Sequence, residues 1–277
     1  MTVDILVPAR NSVGESPVWC PETQALWWID VRAPALFRYR WPSGPVERWP
    51  MPAVIGCVAL AAGDQVIVAL ATGLHRFDPQ TGALMVLCNP ETRAGFRYND
   101  GRAAPDGSLW LGSMPDPAGP NTGRLWHLAP GGGARVMAEG IRVPNAIAFS
   151  SDGTRRYHAD TAAGAILVTE GEATRLFAPL EAAPGRPDGA VTDAADRLWN
   201  ARWGGAALAC FTPAGALDAL IHLPARQPTS CCFAGPDLDH LVVTTARIRL
   251  EDPTEADGAL LVLQPGICGW AEPRCAL

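Results

Sequence analysis

The chain has 277 residues, 48% of them hydrophobic and 18% charged, with a formal net charge of −6. That composition supports a large buried core and excludes a disordered chain. The acidic balance argues against nucleic acid as a partner, because no excess cationic charge is present to displace phosphate counterions.

All 22 basic residues are arginine. The absence of lysine excludes Schiff-base chemistry, a pyridoxal-phosphate anchor and a GxxxxGK[ST] phosphate loop. Met1 to Ile5 lack the basic-then-apolar pattern of a secretory signal, and no run of 18 apolar residues occurs. The expectation is a soluble cytoplasmic protein, monomeric or weakly homo-oligomeric, with no membrane partner.

Asp4 to Val7 is a short apolar run ahead of the first repeat, suited to pairing with the far end of the chain and covering an open sheet edge. The first repeat follows. Gly14 to Trp19 leads through the turn Pro21-Glu22-Thr23 to Ala25–Asp30, and then to the alternating stretch Leu36–Trp41. Ile55–Ala59 leads through Gly63-Asp64 to Val66–Ala69 and Gly73–Asp78. The clearest copy runs from Arg97 through the turn signal Pro105-Asp106-Gly107 to Leu109-Trp110-Leu111. It continues through a Pro- and Gly-rich connection, Pro115 to Gly123, read as a solvated excursion or a lid, to Arg124–Leu128. Gly131-Gly132-Gly133 then reads as a hairpin tip. Pro144–Phe149 with Arg156–Asp160, Pro187–Val191 with Leu198–Ala201, and Thr229–Phe233 with Leu241–Thr244 repeat the unit. Glu251 to Asp257 is an acidic stretch expected to be solvated.

The entrance positions Glu15, Gly56, Asn99, Asn145, Asp188 and Ser230 lie 41, 43, 46, 43 and 42 residues apart. A period in the low forties with several short strands per unit predicts an all-β, six-bladed propeller. The blades should be four-stranded and antiparallel around a central channel, in a single domain over residues 1–277. The tryptophans at strand positions are expected between blades. Eight cysteines without a C-x-x-C pair read as small buried hydrophobes, with Cys231 and Cys232 on opposite faces of one strand.

Neither G-x-S-x-G nor H-E-x-x-H occurs, and the five histidines are scattered over different repeats. Because the innermost strand of each blade lines the channel, the shared phase brings Glu15, Asn99, Asn145 and Asp188 to one axis. Two carboxylates facing each other there would lose hydration and repel, at a cost of several kcal/mol unless compensated. A divalent cation resolves that conflict, and hard oxygen donors suit Ca²⁺, Mg²⁺ or Mn²⁺.

Six signatures occur in order: Gly14-Glu15-Ser16-Pro17-Val18-Trp19, Arg97-Tyr98-Asn99-Asp100-Gly101, Pro144-Asn145, Ala159-Asp160, Arg186-Pro187-Asp188-Gly189 and Trp203-Gly204-Gly205. Over essentially its full length the chain thereby resembles the SMP-30/gluconolactonase/LRE family, which includes regucalcin and bacterial sugar-lactone lactonases. The resemblance implies one divalent metal in the channel and hydrolysis of aldonolactones in carbohydrate catabolism. It implies Glu15, Asn145 and Asp188 as metal ligands, with Ca²⁺ first and Zn²⁺, Mn²⁺, Mg²⁺ or Fe²⁺ as alternatives. It implies Arg97 and Asn99 as contacts to substrate hydroxyls.

One departure is visible. Where some members carry a substrate-binding glutamate after Gly112-Ser113-Met114, this chain reads Pro115-Asp116-Pro117, so Asp116 is the candidate there. The expected chemistry is metal-assisted ester hydrolysis, the base being either Asp188 or a water activated by the cation. The alternatives are a phosphotriesterase of the fluorophosphatase type, a non-catalytic calcium-binding propeller and, last, a strictosidine-synthase-like propeller.

Overall fold

The computed structural model describes residues 2–277; Met1, the first residue of the expected domain, lies outside the described residues. The chain opens with β1 (Asp4–Val7) and then lays down five four-stranded antiparallel sheets in succession. Blade 1 holds β2–β5 (Gly14–Cys20, Ala25–Asp30, Ala35–Arg40, Val46–Pro50) and blade 2 holds β6–β9 (Ile55–Leu60, Val66–Leu70, Gly73–Phe77, Leu84–Cys88). Blade 3 holds β10–β13 (Phe96–Ala103, Leu109–Pro115, Gly123–Leu128, Ala134–Ile141) and blade 4 holds β14–β17 (Pro144–Phe149, Arg155–Asp160, Ala165–Glu170, Ala173–Leu176). Blade 5 holds β18–β21 (Arg186–Thr192, Leu198–Trp203, Ala207–Phe211, Leu217–His222), and β22–β24 (Pro228–Ala234, His240–Thr245, Leu260–Leu263) begin blade 6.

The sixth blade is completed by the other end of the chain: β1 pairs antiparallel with β24, Ile5 opposite Leu261. The sheet edge left by three strands is thereby covered, as the apolar run at Asp4–Val7 leads one to expect. Among the described residues no helix is long and apolar enough to cross a membrane.

Strands β2, β6, β10, β14, β18 and β22 each pack on the next and close a ring, with β22 returning to β2. They form the inner wall and are almost wholly buried, whereas the outermost strands β13 and β17 are largely exposed. The apolar core therefore lies between blades. Val18, Trp27, Ile29 and Leu36 of blade 1 pack against Ile55, Val58, Leu60 and Phe77 of blade 2, while Trp28 faces the opposite way, into a cluster with Trp19, Cys232 and Val242. Trp27 stacks on Trp49 at 5.7 Å. Each large side chain buried in this way contributes roughly 2–3 kcal/mol. Cys231 and Cys232 fall into different clusters, as alternation requires. Six cysteines are buried, while Cys88 and Cys268 are exposed.

The acidic stretch is solvated only in part. Asp257 is buried and takes the Arg226 guanidinium at 2.7 Å, so it pins its loop. The last residues cross the far end of the channel: Trp270 Nε1 donates to Thr192 Oγ1 at 2.8 Å, Glu272 pairs with Arg102, and the Cys275 amide donates to the Leu60 carbonyl at 2.8 Å.

Close approach of inner strands explains the entrance residue of blade 2. A Cβ at Gly56 would overlap the Tyr98 carbonyl and lie 2.8 Å from the Asn99 carbonyl oxygen of blade 3. Both obstacles are backbone and cannot rotate away. Gly56→Ala should therefore destabilise the protein by about 3 kcal/mol, the upper part of the range for overpacking, read as a lower Tm. An unchanged Tm would mean the two blades are free to separate.

Candidate active site and metal centre

Every inner strand breaks its register at the entrance position. The irregularities fall between Glu15 and Val18, Ile55 and Cys57, Tyr98 and Gly101, Asn145 and Ala148, Pro187 and Ala190, and Pro228 and Ser230. A bulge bends the strand and re-aims the side chain beside it. Directly after Glu15 and Asn145 the backbone is left-handed at non-glycine residues, Ser16 (φ 51) and Ala146 (φ 53). Such conformations persist only where the surroundings impose them.

The surroundings do so through neighbouring side chains. The Val58 amide of blade 2 donates to Ser16 Oγ at 3.0 Å, which holds the bulge beneath Glu15. The Ile147 amide donates to Asp100 Oδ2 of blade 3 at 2.8 Å, which holds the bulge beneath Asn145. Asn200 Nδ2 donates to the carbonyls of Asp188 and Gly189 at 2.8 and 3.1 Å, which holds the bulge at Asp188.

The side chains so aimed meet at a cavity of about 320 Å³. Its lining includes Glu15, Arg97, Asn99, Asn145 and Asp188, all expected from sequence, and also Arg32, Thr161, Trp203 and Arg249, which were not. Among them runs a directional hydrogen-bond chain. Arg97 Nη1 donates to Asn99 Oδ1 at 2.7 Å, and Asn99 Nδ2 donates to Asn145 Oδ1 at 2.9 Å and to the Pro144 carbonyl at 3.0 Å. Asn145 Nδ2 donates to Thr161 Oγ1 at 2.8 Å, and that hydroxyl donates to the Pro187 carbonyl at 2.7 Å. Because the chain runs from a guanidinium, an obligate donor, to carbonyls, obligate acceptors, it fixes both amide orientations. Asn99 spends its oxygen on Arg97 and acts as a holder of Asn145. Asn145 Oδ1 takes one hydrogen bond and retains a lone pair.

Glu15 and Asp188 have no side-chain partner among the described residues: Glu15 Oε2 accepts the Ser16 amide at 3.0 Å, and Asp188 is met by the Gly189 amide. Burial first, then the charge of Asp100, pushes the Glu15 carboxyl up to about 8, against the pull of the Ser16 amide and Arg97. Burial, then Glu15, then Asp100 push Asp188 well above the usual carboxylate range. Asp100 is raised too, chiefly by burial. Arg97, drawn down to about 10 mainly by burial, remains cationic at neutral pH.

The nearest guanidinium groups are committed elsewhere. Arg32 makes a two-pronged pair with Asp116, 2.9 Å on each arm, and Arg97 Nε lies 3.5 Å from the same carboxylate. Asp116 stands at the end of β11, outside the cavity lining, with both oxygens engaged.

A divalent cation fits this donor set: two carboxylates whose proton affinity is raised by burial and by neighbouring carboxylates, and an amide oxygen with a free lone pair. Among the described residues no group of three or more His, Cys, Asp or Glu side chains is arranged to hold a metal. Here the third donor is an asparagine.

The loops around the mouth use a common device. Asp30 accepts the amides of Ser12, Val13, Arg32 and Ala33, and Asp160 those of Arg142, Val143 and Ala162. The loops that carry Arg32 and Thr161 are fixed by these aspartates at the ends of β3 and β15. The Asp that ends the second strand of blade 1 and of blade 4, Asp30 and Asp160, was the available signal for both residues.

The model for the SMP-30/Gluconolactonase/LRE-like region matches residues 13–247. The chain belongs to the SMP-30/gluconolactonase/LRE-like family. L-arabinolactonase of Azospirillum brasilense is 34% identical over 290 residues, covering 98% of this chain and 95% of the relative. A 6-deoxy-6-sulfogluconolactonase of Pseudomonas putida is 33% identical, covering 99% of each. Among solved structures, a calcium-binding protein, regucalcin, from Agrobacterium tumefaciens matches with a TM-score of 0.93 at 30% identity, covering 99% of this chain and 97% of that one. The curated relatives of this SMP-30/gluconolactonase-like chain at that level of identity are sugar lactonases, hydrolases of a cyclic ester.

Proposed function

We propose that this protein is a metal-dependent lactonase that opens an aldonolactone to its aldonic acid, with Glu15, Asn145 and Asp188 holding one divalent cation. The reading is carried by the convergence of two buried carboxylates, both with proton affinity raised by burial and by neighbouring carboxylates, and one fixed amide oxygen in a cavity that Arg97 also lines. When bound, the cation supplies Lewis-acid stabilisation of the negative charge that develops on the lactone carbonyl. Ca²⁺ matches the hard oxygen donors best.

Asp188 is the base in this reading. A carboxylate that holds the cation through one oxygen keeps its second oxygen to take a proton from the attacking water. Arg97 meets the hydroxyls of the sugar with the donors that its bonds to Tyr98 and Asn99 leave free, and Asn99 steadies both Arg97 and Asn145. Asp116 acts through Arg32 and Arg97, whose guanidinium groups it holds against the mouth. The relatives support the reaction class, since an arabinolactonase and a sulfogluconolactonase share ring-opening of a sugar lactone.

The test is a panel of aldono-1,4- and 1,5-lactones assayed by acid release with each divalent metal. Arg97→Ala should lower kcat/KM for polyhydroxylated lactones by about 10- to 100-fold, the value of one or two hydrogen bonds to a charged donor, with metal affinity changing much less. Turnover unaffected by Arg97→Ala would leave the sugar assignment unsupported. The calcium-binding description of the Agrobacterium relative favours one second reading, a cation-binding propeller without catalysis. Metal-loaded protein inert towards the whole panel would select it.

A further inference from the structure

The mouth of the cavity carries more cationic charge than a neutral lactone requires. Three arginines line it, Arg32, Arg97 and Arg249, each from a different blade. Arg32 and Arg97 share Asp116. Arg249 makes no hydrogen bond or ion pair through its side chain among the described residues, and it is exposed at the rim on the connection between β23 and β24.

Its placement is imposed by the fold. Arg249 adopts φ 59, the left-handed region that a long side chain rarely occupies. The turn around it is tied on both sides. The amides of Arg247 and Ile248 donate to the Ser12 carbonyl at 3.1 Å, and Gln227 Nε2 donates to the Ile248 carbonyl at 3.0 Å. The rest of the connection is tied by Arg226, which donates to the carbonyls of Glu251 and Asp252 at 3.1 Å and pairs with Asp257. A free cation is thus held on a pinned turn at the rim of the cavity.

Three guanidinium groups face four carboxylates, Glu15, Asp188, Asp116 and the buried Asp100 whose charge acts on the first two. With a divalent cation bound the site carries a surplus of about one positive charge. A lactone with an anionic substituent offsets that surplus, and a neutral lactone does not.

We infer that Arg249 forms a subsite for an anionic group at the end of the sugar remote from the lactone ester: a sulfonate, phosphate or carboxylate. The inference rests on the lactonase reading and specifies its substrate class. Planar guanidinium forks suit all three anions, and a charge-assisted pair at a partly exposed rim gives about tenfold in kcat/KM.

The experiment compares glucono-1,5-lactone with its 6-sulfonated, 6-phosphorylated and 6-carboxylated counterparts on wild-type protein and on Arg249→Ala and Arg249→Lys. Wild type should favour at least one anionic lactone over the neutral one by about tenfold or more, and the preference should shrink as salt is raised. Arg249→Ala should collapse the ratio towards one, and Arg249→Lys should retain part of it. The identity of the best anion separates the three sources. Equal turnover of neutral and anionic lactones by wild type overturns the inference while leaving the lactonase intact, as does an Arg249→Ala variant that loses both in proportion. If no lactone is hydrolysed, the lactonase reading fails by itself. The subsite is then decided by whether 6-sulfogluconate raises Tm more than gluconate in wild type but not in Arg249→Ala.

Discussion

Replacing Asp188 with asparagine should lower lactone turnover by about 10³-fold or more, and excess divalent metal should not restore it. Asparagine keeps the volume and one oxygen, so the pinned bulge and its bonds from Asn200 survive. It removes a negative charge beside the cation and the group that accepts the proton from water, and general-base catalysis alone accounts for about 10²–10⁴. Glu15→Gln is the informative companion. It also removes one charge and keeps one oxygen, but it leaves Asp188 in place, so part of its activity should return at high metal concentration. Near-wild-type turnover by Asp188→Asn would remove Asp188 from the chemistry. Equal rescue of the two variants would reduce it to a ligand.

Removing the metal is expected to have an effect of the same order. Protein treated with a chelator, and verified free of metal, should lose turnover and recover it on addition of Ca²⁺ or another divalent ion. The melting temperature should follow. An ion bound only by the native state at 100 times its Kd adds about 2.7 kcal/mol, roughly 5–10 °C for a chain of this size. The Glu15→Gln, Asp188→Asn double variant is the control, because it retains the oxygens while losing both charges. Its metal-dependent shift should vanish, and without metal it should melt no lower than metal-free wild type, since the repulsion between two buried carboxylates has gone. Full activity in verified metal-free protein would falsify the mechanism.

The relation between sequence and site differs from residue to residue. Glu15, Asn145 and Asp188 were legible because each sits at the same phase of a repeat, and a repeat in a ring carries equal phases to one axis. The outermost strands β9, β13, β17 and β21 were not legible. They face solvent on much of their surface, so no alternation of apolar and polar residues marks them, and β17 is exposed along its length. Asp116 was named from sequence as a candidate substrate contact; its pairing with Arg32, 84 positions earlier in the chain, was not legible there. That contact passes over blade 2, whose β7–β8 turn is only two residues long.

The sequence by itself determined the number of blades, the closure of the last blade by Asp4–Val7, the phase of the inner strands and the family. These follow from local pattern repeated along the chain, and local pattern survives without knowledge of distant contacts. Only the tertiary structure decided the proton affinities of Glu15 and Asp188, the direction of the hydrogen-bond chain from Arg97 to Pro187, and the gathering of Arg32, Arg97 and Arg249 at one mouth. Each of these depends on desolvation and on distances between residues from separate blades. Such quantities exist only once the ring has closed.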